Sequence, residues 1–190
     1  MSEPLTNNAP AAGRSTLSVR VLVLLAALAG LTVALDQITK SIVVATMTEG
    51  EVITLIPGVA EFKFVRNPGA AFSFASGQTW VFSILAIAVT VAIIWLARRI
   101  KSRAWAVVFG LLLGGTLGNL IDRLFREPGF GRGFVIDFIY LPWMMPAIFN
   151  VADIAITAAA ITFAILILRN VGLDGKRNSA KSAVKPADND

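Results

Sequence analysis

The chain has no cysteine, no histidine and a single tyrosine in 190 residues. Without Cys or His there is no disulfide scaffold, no Cys/His metal site, no cysteine nucleophile and no Ser-His-Asp triad. Charge is scarce too, at 15% of residues, where soluble domains carry about a quarter. What is abundant is apolar: 56% hydrophobic residues and a mean hydropathy of +0.73. That composition excludes a disordered chain and argues against an ordinary soluble domain. Only carboxylates, amides, hydroxyls, Lys and Arg remain to do chemistry. The net charge is +5. Its basic residues lie in clusters between apolar runs, not in a stripe beside aromatics, so the pattern is that of a membrane protein and not of a nucleic-acid binder.

A membrane-spanning helix needs about 20 mostly apolar residues. Four segments qualify: about Leu17–Leu35, Thr79–Ala97, Ala104–Ile121 and Ala147–Leu168. The second and third carry no charge. The fourth holds Asp153, placed about one turn inside the apolar region, and an ionisable group there calls for a functional reading. Arg14 and Arg20 ahead of the first segment's apolar core resemble a cleaved leader. Its apolar core, however, runs directly into Asp36-Gln37-Ile38-Thr39-Lys40 without a small-x-small cleavage site, so it reads as a retained helix.

The basic residues set the orientation. Arg14, Arg20, Arg98, Arg99, Lys101, Arg103, Arg169, Lys176, Arg177, Lys181 and Lys185 fall on one side of a four-span topology. Lys40, Lys63, Arg66, Arg123, Arg126 and Arg132 fall on the other, over longer segments. The richer side is expected to be cytoplasmic, with both termini there. Residues 1–13 read as a mobile tail, 14–173 as one membrane-embedded domain, and 174–190 as a basic cytoplasmic tail.

The outward segments have their own structure. Val52–Ile56, the Pro57-Gly58 turn and the run to Val65 read as a β-hairpin. Phe138–Pro146, with Tyr140 and Trp143, reads as an interfacial piece anchored by aromatics. Gly129, Gly131 and Gly133 before it point to a mobile loop.

The polar residues gather near the outer ends of the spans. Asp36 and Lys40 share a helix face at a spacing of four. Taken alone they are a local ion pair, and Asn67 before Pro68-Gly69 is a turn residue. Asn119, Asp122 and Arg123 follow Gly114, Gly115 and Gly118, which permit close helix packing. Asp137 lies in Val135-Ile136-Asp137-Phe138, and Asn150 shares a helix face with Asp153. Two carboxyls held close cannot both ionise cheaply, so they share a proton. One then takes a proton from water while the other donates to a carbonyl. That is aspartic-protease chemistry, and it needs neither metal nor cofactor.

Five ordered blocks carry a family resemblance: Asp36-Gln37-Ile38-Thr39-Lys40, Val65-Arg66-Asn67-Pro68-Gly69-Ala70-Ala71-Phe72, Gly118-Asn119-Leu120-Ile121-Asp122-Arg123, Val135-Ile136-Asp137-Phe138 and Phe149-Asn150-Val151-Ala152-Asp153. Over residues 17–170 the chain resembles the bacterial lipoprotein signal peptidases, or signal peptidase II. The resemblance implies an all-α membrane protein of four transmembrane helices, with a small extracytoplasmic β-hairpin or cradle and an extracytoplasmic interfacial helix before residue 147. It implies an aspartic endopeptidase of the inner or plasma membrane. Such an enzyme removes the signal peptide from diacylglyceryl-modified prolipoproteins, cutting before the lipidated cysteine on the outer side. Asp137 and Asp153 match the family's catalytic pair. Asp36, Lys40, Asn67, Asn119, Asp122, Arg123 and Asn150 match its site-supporting positions. Membrane lipids and a globomycin-type inhibitor are the other implied partners, and a monomer is expected.

Three other readings compete. A Ser/Lys peptidase would use Lys40 with Ser41 or Ser73, although Ser41 points away from its neighbour on a helix. A small ion or proton transporter subunit would use the same intramembrane carboxylates, but no inverted repeat is present. A structural assembly factor leaves the two carboxylates in apolar surroundings unexplained.

Overall fold

The computed structural model describes residues 19–69, 79–144 and 146–177. The expected N-terminal tail, most of the C-terminal tail, Ser73 and the Ala70-Ala71-Phe72 part of the second block lie outside the described residues. Helices α1 (Val19–Thr46), α2 (Thr79–Ala97), α3 (Arg103–Phe125) and α4 (Val151–Leu168) are each long and apolar enough to cross a membrane. Four strands complete the fold: β1 (Val52–Ile56), β2 (Ala60–Asn67), β3 (Val135–Tyr140) and β4 (Ile148–Phe149).

Helix α3 is the hub and packs against the other three helices. Its small residues set the approach distance. A Cβ at Gly115 would lie 2.6 Å from the Ala152 carbonyl on α4, and one at Gly118 would lie 2.6 Å from the Asp36 carboxylate on α1. Lipid gives helices no hydrophobic drive to associate, so such close backbone contact is how a bundle coheres. The outward faces of α1, α2 and α4 stay apolar and exposed, as at Leu31, Ile84 and Phe163.

The sequence reading of the second span matches α2 end to end. The first span was expected to stop near Leu35, yet α1 continues to Thr46. At 28 residues it is about 42 Å long, well beyond a hydrocarbon core of about 30 Å. Asp36 and Lys40 do not end it because both turn into the bundle, while Ile38 and Ile42 stay on the exposed face. The fourth span begins at Val151, not Ala147, because residues 148–149 join the sheet. Asp153 therefore sits in the first turn of α4, not a turn deeper.

The expected hairpin is present and forms half of an antiparallel sheet in the order β1-β2-β3-β4. Gly58, at φ 72°, makes the turn between β1 and β2. The interfacial helix expected before residue 147 is absent among the described residues. That segment is strand β3, a turn at Pro142–Met144, and β4. Its β-branched and aromatic residues Ile136 and Phe138 bury against Val43, Met47 and Phe64, so pairing with β2 wins over a helix. The glycine-rich loop is tied down. The Gly133 and Phe134 amides donate to the carbonyls of Arg123 and Glu127, and Ser83 Oγ donates to the Gly131 carbonyl.

Candidate active site

The polar residues meet where the sheet joins the helices. Asn67 opposes Val135 across the β2–β3 ladder, so Asp137 is its diagonal neighbour on one sheet face. Asn67 Nδ2 donates to Asp137 Oδ2 at 2.8 Å. The other end of the Asn67 amide accepts from the Gly69 amide at 2.7 Å, so the expected turn role is real as well. Gly69 is at φ +88°, and a Cβ there would lie 2.7 Å from the Phe82 ring. Glycine at this position follows from both facts.

Asp153 is fixed from the start of α4. Asn150 is the N-cap, and the two residues form a reciprocal capping box. The Asn150 side chain accepts from the Asp153 amide at 3.0 Å, and the Asn150 amide donates to Asp153 Oδ2 at 3.1 Å. Asn150 Nδ2 also donates to Asp137 Oδ1 at 2.6 Å. One asparagine thus holds both carboxylates, one on a strand and one on a helix. Asn119 Nδ2 adds a bond to Asp153 Oδ1 at 2.9 Å. Asp137 is nearly sealed, at 3% exposure. Burial, reinforced by the charge of Asp153, pushes its pKa up to about 6, against the opposing pull of the Asn67 and Asn150 bonds.

Asp36, Lys40 and Asp122 are brought together one layer away. The fully buried Lys40 Nζ contacts Asp36 Oδ2 and Asp122 Oδ2 at 2.8 Å each, and donates to Asn119 Oδ1 at 2.9 Å. An ammonium has three N–H bonds, and all three are used. Lys40 thereby turns the Asn119 oxygen toward itself and the Asn119 amide nitrogen toward Asp153. Asp36 Oδ1 accepts from the Ala152 amide of α4 at 2.9 Å, and Asp122 Oδ2 accepts from the Ile136 amide of β3 at 3.2 Å. The ion cluster is therefore the joint between α1, α3, α4 and β3. Burying three charges is tolerable only with this degree of pairing.

Arg123 stands apart from both groups. Its guanidinium lies 5.2 Å from the Phe82 ring centroid and within electrostatic reach of Asp137, Asp122 and Asp153. Its Nη1 is buried with no hydrogen-bond partner among the described residues. Two contributors were missed in the sequence. Gln37 Nε2 reaches Asp36, Asp122 and the Gly118 carbonyl at 3.0–3.2 Å, and Arg126 Nε donates to Asp122 Oδ1 at 2.6 Å. The Asp122–Arg126 spacing of four was a usable signal for the second. Lys40 is no candidate base for a Ser/Lys mechanism: its donors are committed, and Ser41 is exposed on a groove along the surface of α1.

The comparisons with known proteins bear on this geometry. A family model described as signal peptidase (SPase) II matches residues 28–169, which include every residue of the two groups. The chain belongs to the signal peptidase II family. It is 50% identical to the lipoprotein signal peptidase of Leifsonia xyli subsp. xyli over 182 residues, covering 96% of this chain and 83% of that one. It is 41% identical to the Rhodococcus jostii lipoprotein signal peptidase over 158 residues, covering 83% and 79%. A solved structure of a bacterial membrane enzyme, obtained by the in meso method, superposes with a TM-score of 0.68 at 30% identity, covering 80% of this chain and 94% of that one. The signal peptidase II chain is thus a multi-pass bacterial membrane peptidase. Nothing in these similarities supports the transporter alternative.

Proposed function

We propose that this chain removes the signal peptide from diacylglyceryl-modified prolipoproteins, cutting before the lipidated cysteine with Asp137 and Asp153 as an aspartic dyad. The observation that carries this reading is the pair itself: two carboxylates from different elements, bridged by Asn150 and supported by Asn67 and Asn119. Asp153, the more open member, takes a proton from the attacking water. Asp137, whose burial favours its neutral form, donates its proton to the scissile carbonyl oxygen. Collapse of the tetrahedral intermediate breaks the C–N bond: the proton held by Asp153 passes to the leaving amine of the cysteine, and Asp137 recovers its proton from the hydroxyl that becomes the product carbonyl. Arg123 Nη1, without a partner among the described residues, suits a substrate backbone carbonyl, since a buried donor left unpaired costs about 1–3 kcal/mol.

The lipid requirement has a physical basis. Acyl chains stay in the bilayer at about 0.8 kcal/mol per methylene, which brings the adjacent peptide bond to a site at the membrane surface. The sheet end is read as extracytoplasmic because Arg98, Arg99, Lys101, Arg103 and Arg169 cluster near the helix ends away from the sheet. Both groups of site residues come from one chain, which supports a working monomer. A globomycin-type inhibitor would occupy the same site.

The test is cleavage of a purified diacylglyceryl prolipoprotein, read by mass spectrometry. Wild type is expected to release a product beginning at the lipidated cysteine, and folded Asp153→Asn none. Cleavage at another bond, or normal turnover by the variant, overturns the reading.

A further inference from the structure

The end of the bundle away from the sheet holds a groove of about 410 Å³ that the dyad chemistry does not touch. Leu96 of α2, Trp105 and Phe109 of α3, and Phe163 and Ile167 of α4 form its walls, and residues 170–173 complete the lining. The walls are fixed. The Trp105 ring meets Phe163 edge-on at 5.4 Å between centroids, and its indole N–H donates to the Val171 carbonyl at 3.1 Å. The Lys101 and Ser102 amides donate to the Leu173 carbonyl at 3.0 and 3.1 Å, which straps the segment after α4 onto the α2–α3 turn. Phe163 and Ile167 stay exposed, so the groove opens toward lipid.

Positive charge surrounds it. Every Lys and Arg in residues 98–103 and 169–177 is exposed, and none forms a salt bridge among the described residues. Three of them join the lining through the backbone. The Arg99 amide donates to the Leu96 carbonyl, the Lys101 amide to that of Leu173, and the Lys176 carbonyl accepts from the Gly172 amide. Asp174 is the one carboxylate in these two stretches, and its Oδ1 is occupied by the Lys176 amide. The sheet end is different: Lys40, Arg66 and Arg126 there all have carboxylate partners. The groove along α1 has no charged side chain in its lining, and the one beside Asp153 belongs to the active site.

We propose that this groove is a binding site for one anionic phospholipid, with an acyl chain along the aromatic wall and the phosphate among Arg99, Lys101 and Lys176. An apolar slot with unpaired cations at its rim is the complement of an alkyl chain beneath a negative headgroup. Phosphate oxygens accept charge-assisted hydrogen bonds from Lys and Arg, which the exposed side chains here are free to give. That end is read as cytoplasmic, and the cytoplasmic leaflet carries the anionic lipids that basic segments attract. Two other occupants fit less well. A second copy of the chain would bring the same positive end against this one. Residues 178–190 offer nothing apolar larger than Val184 and Pro186 to fill a groove walled by Trp and Phe.

The test is native mass spectrometry of the full-length protein in detergent, titrated with dioleoyl phosphatidylglycerol and, separately, with dioleoyl phosphatidylcholine. It needs no substrate, so it stands or falls apart from the peptidase reading. The readout is the Kd for the first lipid bound. At about fivefold per Lys or Arg, wild type is expected to favour the anionic lipid by about 100-fold. Lys101→Gln/Lys176→Gln lowers that preference to about fivefold. Lys63→Gln/Arg132→Gln removes the same charge from the sheet end and keeps the wild-type preference. Ile167→Trp crowds the groove and weakens both lipids about tenfold, as a misfit of a methylene or two does in an apolar pocket. Ile167, Lys101 and Lys176 are exposed, so these variants are expected to keep the wild-type unfolding temperature. Equal affinity of wild type for the two lipids overturns the proposal, as does an equal loss in the sheet-end variant, which reports net charge alone. Unchanged affinities in Ile167→Trp overturn the acyl-chain seat. Wild type that takes up neither lipid overturns the proposal in favour of a groove covered by protein.

Discussion

The two halves of α3 are built on opposite principles. From Trp105 to Phe109 the helix packs a dry cluster with Val21, Leu25, Ile93, Ile100 and Leu166. From Gly118 to Arg123 the same helix carries Asn119, Asp122 and Arg123 into a network of buried charges and amides. The dry half has nothing to titrate and many near-equivalent contacts, so it holds the helices together without dictating where any one atom sits. In the polar half each bond has a direction and each donor a named acceptor. That half sets the positions of Asp137 and Asp153. The difference teaches that stability and reactivity are separable along one helix, with the glycine stripe between them allowing both neighbours to come close.

The sharpest way to break the comparison is Lys40→Met. It leaves Asp36 buried without its cation and Asp122 with Arg126 alone, at a cost of about 3–5 kcal/mol. Thermal unfolding in detergent is expected to show that loss, together with lost cleavage. Next is Asn119→Ala, which frees one side of Asp153. A misplacement of about 1 Å costs on the order of 10²-fold, so kcat is expected to fall by about that factor with KM little changed in steady-state assays.

Acidity sharpens the comparison further. The proposed mechanism requires the protonated form of Asp137, whose pKa lies at about 6, so kcat/KM is expected to fall as pH rises through that value. The Asn67 bond opposes the rise in that pKa. Removing it in Asn67→Ala is expected to move the falling limb to higher pH, read from the pH profile. The smallest effect belongs to the dry half. Val108→Ala loses packing contacts but little transfer energy, because lipid is as apolar as the cavity it leaves. A loss of about 1 kcal/mol is expected, within the range for small core truncations, with cleavage kinetics unchanged.

Much of this was legible in the residues. Hydropathy marks α2 to the residue and the other spans approximately, because lipid demands long apolar runs. Asp137, Asp153 and the three asparagines that bond to them all fall in the ordered blocks. Strand β3 was hidden for a physical reason. Val135–Phe138 is buried on both faces, so Val-Ile-Asp-Phe shows no alternation, and Tyr140 and Trp143 resemble an interfacial belt. The extension of α1 was hidden because Asp36 and Lys40 look like charges at a membrane edge. Their partner Asp122 lies on another helix, more than eighty residues away in the chain. Local spacing showed the pair, and only the fold showed that it is shared.

The central claim is that Asp137 and Asp153 act as one unit held by Asn150. A double-mutant cycle on cleavage of a diacylglyceryl prolipoprotein tests it most directly, with Asp137→Asn, Asp153→Asn and the double variant each checked for wild-type unfolding temperature. Each single change is expected to cost about 10³-fold or more, in the upper range for general acid–base catalysis, and the double change no more than the worse single. Multiplying losses, or a folded single variant that cleaves at the wild-type rate, would contradict the account.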